Sequence, residues 1–194
     1  MCRKGENVMA SGFNARKAAQ VVAYLANNAP DARLNVVKTI KLVYLADRDS
    51  FEHFGFPILD EDRVSMRLGP VNSTTYDYVK GEIEDQNWSE LLQDRENHEI
   101  SVTEKGKLCD WDELSEADIQ CLDRTWQNFG HMSHWQLVDW THDPKNVPEW
   151  KNPNGGSLPI RVSEILTSLG VENADAHSQV IEDHRRINRL IANI

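Results

Sequence analysis

Apolar residues recur at three- and four-residue steps from Ala15 to Ala29, through Ala18, Val21, Val22 and Leu25, until Pro30 stops the run. The spacing predicts an ordinary packing helix. The next segment opens at Asn35, a residue suited to capping a helix, and carries Val36, Val37, Ile40, Leu42, Val43, Tyr44, Leu45 and Ala46 with almost no polar face. A helix apolar all round belongs at the centre of a fold. It runs directly into Asp47, Arg48, Asp49 and Ser50 before ending near Gly55 and Pro57, which sets charged groups beside the core.

Farther along, Arg63 to Leu68 reads as extended, and Gly69-Pro70 breaks the chain ahead of a short helix from Ser73 to Lys80. Leu91 to Asp94 and Glu99 to Thr103 flank a polar Glu96-Asn97-His98 turn, the pattern of a small antiparallel hairpin. Ser115-Glu116-Ala117-Asp118 is a capping-type helix start, with Ile119, Leu122, Trp126 and Phe129 following on one face up to Gly130. Three more helices are expected over Ser133–Thr141, Pro159–Ser168 and Ala174–Ala192, the last with Val180, Ile187, Leu190 and Ile191 on its apolar side. The sum is a mainly α (α+β) fold, a compact helical domain around a central buried helix with a small antiparallel hairpin or sheet.

Composition fits this picture. The 194 residues are 40% hydrophobic and 27% charged, enough for one real core, with 7 Pro and 10 Gly too scattered to mark a linker or a repeat. One domain over residues 15–194, after a short extension over 1–14, is the organisation expected. No stretch reaches the roughly 20 consecutive apolar residues of a membrane-spanning helix, and the N-terminus lacks the apolar run of a secretory signal. Cys2, Cys109 and Cys121 form no CxxC pair, as suits a reducing, cytoplasmic setting. The net charge of −10 is local: residues 82 to 123 hold 14 Asp/Glu against 3 Lys/Arg. Such a block repels nucleic acid and serves either as a solvated face or as a docking face for a basic protein.

His131, His134, Asp139, His142 and Asp143 are five ligand-type residues within thirteen positions, which raises a metal-dependent hydrolase. The spacing fits no metal motif, because His131 and His134 straddle a helix junction, and a turn-capping role for His142 at Asp143-Pro144 explains that residue as well. There is no GxSxG elbow, no phosphate loop and no cysteine nucleophile signature, so neither an enzyme nor a cofactor is expected. Ile100-Ser101-Val102-Thr103-Glu104-Lys105-Gly106 resembles the wing strand of a winged-helix transcriptional regulator, yet it lies inside the acidic block, where phosphate contact is disfavoured. Among six tryptophans, Trp126, Trp135, Trp140 and Trp150 cluster within 25 positions, as core or as interface anchors.

A resemblance then emerges from the motifs together. Lys41-Leu42-Val43-Tyr44-Leu45-Ala46-Asp47, Gly55-Phe56-Pro57-Ile58, Leu68-Gly69-Pro70-Val71 with Tyr76, Thr103-Glu104-Lys105-Gly106, Leu114-Ser115, Gly130, Ser133, Leu137, Thr141-His142, Pro148 and Trp150 resemble the Panacea domain of SocA-like antitoxins, over residues 15 to 165. The resemblance implies a mostly helical, non-catalytic module that neutralises a cognate protein toxin by direct contact, with one relative acting as an adaptor to a protease. Some members carry a DNA-binding domain, for which residues 1–14 are too few. It carries over Tyr44, Asp47, Gly69, Pro70 and Tyr76 as family-pattern positions, with Arg48 and Arg67 as neighbours able to pair with a partner's carboxylates. Gly69, Pro70, His142 and Trp150 are expected to be structural, while Tyr44, Asp47, Arg48, Arg67 and Tyr76 are the candidates for partner contact. An internal Asp47–Arg48 ion pair is the alternative. A homo-oligomer is compatible with this reading, whereas a membrane or nucleic-acid partner is not expected.

Overall fold

The computed structural model describes residues 13–93 and 98–191; the N-terminal stretch to residue 12, including Cys2, turn residues 94–97 and Ala192 lie outside the described residues. Helix α1 (Ala15–Asn27) starts where the Asn14 side chain accepts from the Lys17 N–H, and buries Ala18, Val21, Val22 and Leu25. It ends two residues short of the expected Ala29, ahead of a 3-10 turn at Pro30–Ala32. Strand β1 (Arg33–Asn35), too short for a periodicity of its own, then delivers the chain to α2 (Val36–Phe54). Asn35 caps α2 by accepting from the Val37 and Lys38 N–H groups, and Gly55 closes it at φ 76°, a left-handed conformation that favours glycine.

The central position of α2 is borne out: it packs against α1 and against α3 (Ser73–Lys80), α6 (Glu116–Phe129), α7 (His134–His142) and α8 (Val162–Ser168), and meets both sheets. Short α4 (Gln86–Ser89) and α5 (Glu104–Lys107) cover one flank, and α9 (Ala174–Ile191) lies on α8. Ser115 with Asp118 and Ser133 with Gln136 form the reciprocal capping boxes that start α6 and α7. No helix among the described residues is long and apolar enough to cross a membrane.

Among the described residues the fold is mainly α with two small antiparallel sheets, one built on the expected hairpin and the other on the segment expected to be extended from Arg63. That hairpin exists as β4 (Leu92–Gln93) and β5 (Glu99–Val102), and β1 joins it in the order β1-β5-β4, with Leu34 opposite Ile100. The second sheet corrects the reading of Gly69-Pro70 as a simple break. Gly69–Asn72 is strand β3, paired with β2 (Arg63–Met66) so that Ser65 faces Pro70, while β6 (Leu158–Ile160) lies on the other side of β2. Proline is tolerated because β3 is an edge strand and needs no donor there. Pro159 and Ile160 were expected within a helix; that helix starts at Val162 instead.

Helix α9 turns its apolar side away from the core. Its expected apolar residues Val180, Ile187, Leu190 and Ile191 are all exposed, and Ile181 and Arg185 are buried in their place. Among the clustered tryptophans, Trp126, Trp140 and Trp150 pack against the core, whereas Trp135 is 58% exposed.

Candidate functional site

Lys41, Tyr44, Asp47 and Arg48 are polar side chains on the apolar helix α2. Steps of three, three and one residue keep them within about 120° of one another around the helix. All four point inward and find partners outside α2, with Tyr44 and Arg48 sharing one, so that they form a buried polar stripe joining α2 to the second sheet and to the loop after α7.

At the first position, the fully buried Lys41 amine donates to the Pro70 carbonyl at 2.8 Å. Loss of solvent pulls its pKa down to about 7. Gly69, at φ 101°, is required by this arrangement: a Cβ there would lie 2.7 Å from the Thr141 hydroxyl and 2.9 Å from the Lys41 amine. His142 sits nearby, its ring centroid 4.1 Å from that of Trp150, and the Trp150 indole donates to the Met66 carbonyl at 3.1 Å. Burial and the Lys41 charge both lower the His142 pKa, and its Nε2 is buried without a partner.

One turn on, the Tyr44 hydroxyl donates to Glu149 Oε1 at 2.8 Å, and Arg48 Nε reaches the same oxygen at 2.8 Å. Burial and the Glu149 carboxylate drive the Tyr44 pKa well above its ordinary value. Asp47 is the most connected member. Its Oδ1 accepts from the Ile58 and Leu59 N–H groups at 2.8 and 3.0 Å, and its Oδ2 from Arg63 Nε at 2.7 Å, from Arg63 Nη2 and from Asn72 at 3.0 Å. Arg63 also donates to the Glu61 and Leu59 carbonyls, both at 2.7 Å, and lies over the Phe51 ring. Glu61 completes the network by accepting from the Thr75 N–H at 2.8 Å and hydroxyl at 2.5 Å. Burial pushes the Glu61 carboxyl up to about 7, against the opposing pull of the Thr75 donors and Arg63.

The proposed site residues therefore divide. Tyr44 and Asp47 lie inside the fold, where no partner molecule reaches them, and Arg48 is mostly covered. Arg67 is exposed at the β2–β3 turn, and Tyr76 is half-buried on α3 with the Lys80 amine 4.4 Å above its ring. Asp47 and Arg48 do not pair with each other, as the internal alternative had it, because consecutive helical residues diverge by about 100°. Their partners are Arg63 and Glu149, residues that sequence reasoning missed along with Lys41 and Glu61. Polar residues inside an otherwise all-apolar helix were the available signal.

Among the described residues, no three His, Cys, Asp or Glu side chains gather to hold a metal ion. His134 and His142 stand at opposite ends of α7, about 12 Å apart along its axis. Burial pushes the Cys121 thiol up to about 12, which keeps it from acting as a thiolate. The winged-helix-like segment supplies most of β5, the central strand of its sheet, and the lysines in it and just after it face carboxylates: Lys105 meets Glu90 and Lys107 meets Glu104. Part of the acidic block turns inward to hold α1, through Asn14 to Glu113, Lys17 to Asp118 and Tyr24 to Asp123 at 2.7 to 2.9 Å.

Comparison with known families matches residues 40–151 to the domain described as "Antitoxin SocA-like, Panacea domain". The matched region spans more than half of the chain and contains the whole stripe from Lys41 to Glu149 together with Trp150. No curated protein and no solved structure matches the chain.

Proposed function

The chain belongs to the SocA-like antitoxin family, and we propose that it neutralises a cognate protein toxin in the cytoplasm by direct, stoichiometric contact and without catalysis. The observation that carries this reading is the coincidence of the family match with the buried stripe. The matched residues include fixed charges whose hydrogen bonds close within the fold, a construction suited to holding a surface rigid, since a preordered surface loses little entropy on binding.

In this proposal the contact residues are Arg67, exposed at the β2–β3 turn, Tyr76, half-buried on α3, and Arg48, mostly covered beside Glu149. Tyr44 and Asp47 act through position: Asp47 fixes the chain at Ile58 and Leu59 and holds Arg63 on β2, four residues before Arg67. Gly69, Pro70, His142 and Trp150 hold the turn and the loop against α2. Residues 15–194 form one functional domain.

Titration of the purified protein against the toxin encoded beside its gene tests the reading. Inhibition should saturate near an equimolar ratio and coincide with a co-purifying complex. Inhibition by trace amounts, or without a complex, would overturn it.

A further inference from the structure

On α9, Val180, His184, Ile187 and Ile191 follow one another at steps of four, three and four residues, which places them in one narrow stripe. That stripe faces solvent, with Val180, Ile187 and Ile191 exposed by 48, 52 and 63%. The helix docks instead by Ile181, buried in the core, and by Arg185, which pairs with Asp60 at 2.5 Å and Asp62 at 3.0 Å. Phe56, 40% exposed, packs on the His177 and His184 rings at 5.9 and 5.6 Å and extends the stripe onto the body of the protein. From Arg186 to Ile191 every residue is exposed, so this end of the helix runs past its own body. A contiguous apolar surface of this kind marks an interface.

We infer that α9 pairs antiparallel with α9 of a second copy of this chain across a two-fold axis. The sequence of the helix is self-complementary in one register. With the axis between Arg185 and Arg186, Val180 comes level with the partner's Ile191 and His184 with the partner's Ile187, so each stripe residue meets another. The projecting end then lies along the first half of the partner helix, beside the partner's Phe56. Charge supports the same direction. Asp183 precedes Arg186, both are solvent-accessible, and within one chain they approach to 3.3 Å. An antiparallel mate brings each Asp183 within a turn of the other Arg186, because antiparallel helices meet like flank to like flank. Apart from the buried Arg185 and its partner Glu182, Asp175 and Asp183 come before Arg186 and Arg189, so acidic half faces basic half. The contact is isologous and closes as a dimer. At 18 residues, about 27 Å, it lies at the small end of stable interfaces, and dimerisation is concentration-dependent.

Sedimentation equilibrium of the full chain over a wide concentration range provides the test, with far-UV circular dichroism to confirm folding of each variant. The average mass should rise from the 22.2 kDa monomer towards twice that value. Ile187→Asp should weaken association by about tenfold or more, since it sets two like charges against an apolar contact. Asp183→Arg should weaken it too, and Asp183→Arg combined with Arg186→Asp should restore it. A wild-type protein that stays monomeric throughout, an Ile187→Asp variant that dimerises normally, or a double exchange that fails to rescue would each overturn the pairing. If the wild type is monomeric and Ile187→Asp instead loses toxin neutralisation, the stripe serves the toxin, and self-pairing is wrong while the proposed function stands.

Discussion

Helix α2 turns polar side chains inward, and helix α9 turns apolar side chains outward. Each runs against the ordinary sorting of residues, yet the two depart from it for opposite reasons. The inward-facing groups of α2 are met from within the chain: Asp47 alone accepts five hydrogen bonds, and Lys41, Tyr44 and Arg48 each have a named partner. The outward-facing stripe of α9 meets little within its own chain beyond Phe56. A buried polar group that is fully paired fixes which segments lie together, because every other arrangement leaves it unpaired. An exposed apolar stripe leaves its gain to be made with another molecule.

Asp47→Ala should produce the largest effect. It strands the Arg63 guanidinium and two N–H groups in the interior, a loss of about 3–5 kcal/mol, seen as a fall in Tm of roughly 10 °C. A Tm within a degree or two of the wild type would show that Asp47 is not held as described. Gly69→Ala should follow at about 1–3 kcal/mol, since the added methyl meets the Lys41 amine and the Thr141 hydroxyl at a φ of 101°. Chemical denaturation checks it, and relief in a Gly69→Ala/Thr141→Ala double variant would identify the clash.

The titrating groups of the stripe give a smaller and directional signal. The Glu61 carboxyl is raised from 4.5 to about 7, so between those values the folded protein keeps a proton that the unfolded chain has released, and stability falls as pH rises. Lys41 is lowered from 10.5 to about 7, so in the higher interval the unfolded chain holds the extra proton, and stability rises with pH. Denaturation profiles should show Glu61→Gln removing the decline between about pH 4.5 and 7, and Lys41→Met removing the rise between about pH 7 and 10.5. Unchanged slopes in both variants would contradict the burial of these charges. The smallest effect belongs to the other helix: at concentrations where the protein is monomeric, Ile187→Asp should change unfolding stability by no more than about 0.5 kcal/mol. A larger loss would mean that α9 is packed within its own chain.

Much of this contrast was legible in the sequence, and the remainder was not for identifiable reasons. The helices were readable because caps and periodicity are local: Asn35, Ser115 and Ser133 start α2, α6 and α7 where expected. The strands were harder. β1, β4 and β6 span three residues or fewer and take their identity from partners far along the chain, and Pro70 reads as a breaker unless its edge position is known. Tyr44 and Asp47 stood out by type and place, but whether a polar group at the end of a buried helix faces inward depends on Arg63 and Glu149, 16 and 105 residues beyond them. The apolar side of α9 was legible but its direction was not, because periodicity reveals that a helix has an apolar side without saying whether its own chain covers it.

We propose that the family-matched region separates into a buried support and a surface that binds the toxin. Measuring thermal melting and toxin neutralisation on the same preparations of Asp47→Ala and Arg67→Ala tests it most directly. Asp47→Ala should lose melting temperature and, with it, neutralisation, whereas Arg67→Ala should melt like the wild type and bind about 30-fold more weakly, as loss of an interface arginine entails. Wild-type neutralisation by Arg67→Ala, or an Asp47→Ala protein that melts normally while failing to neutralise, would contradict it.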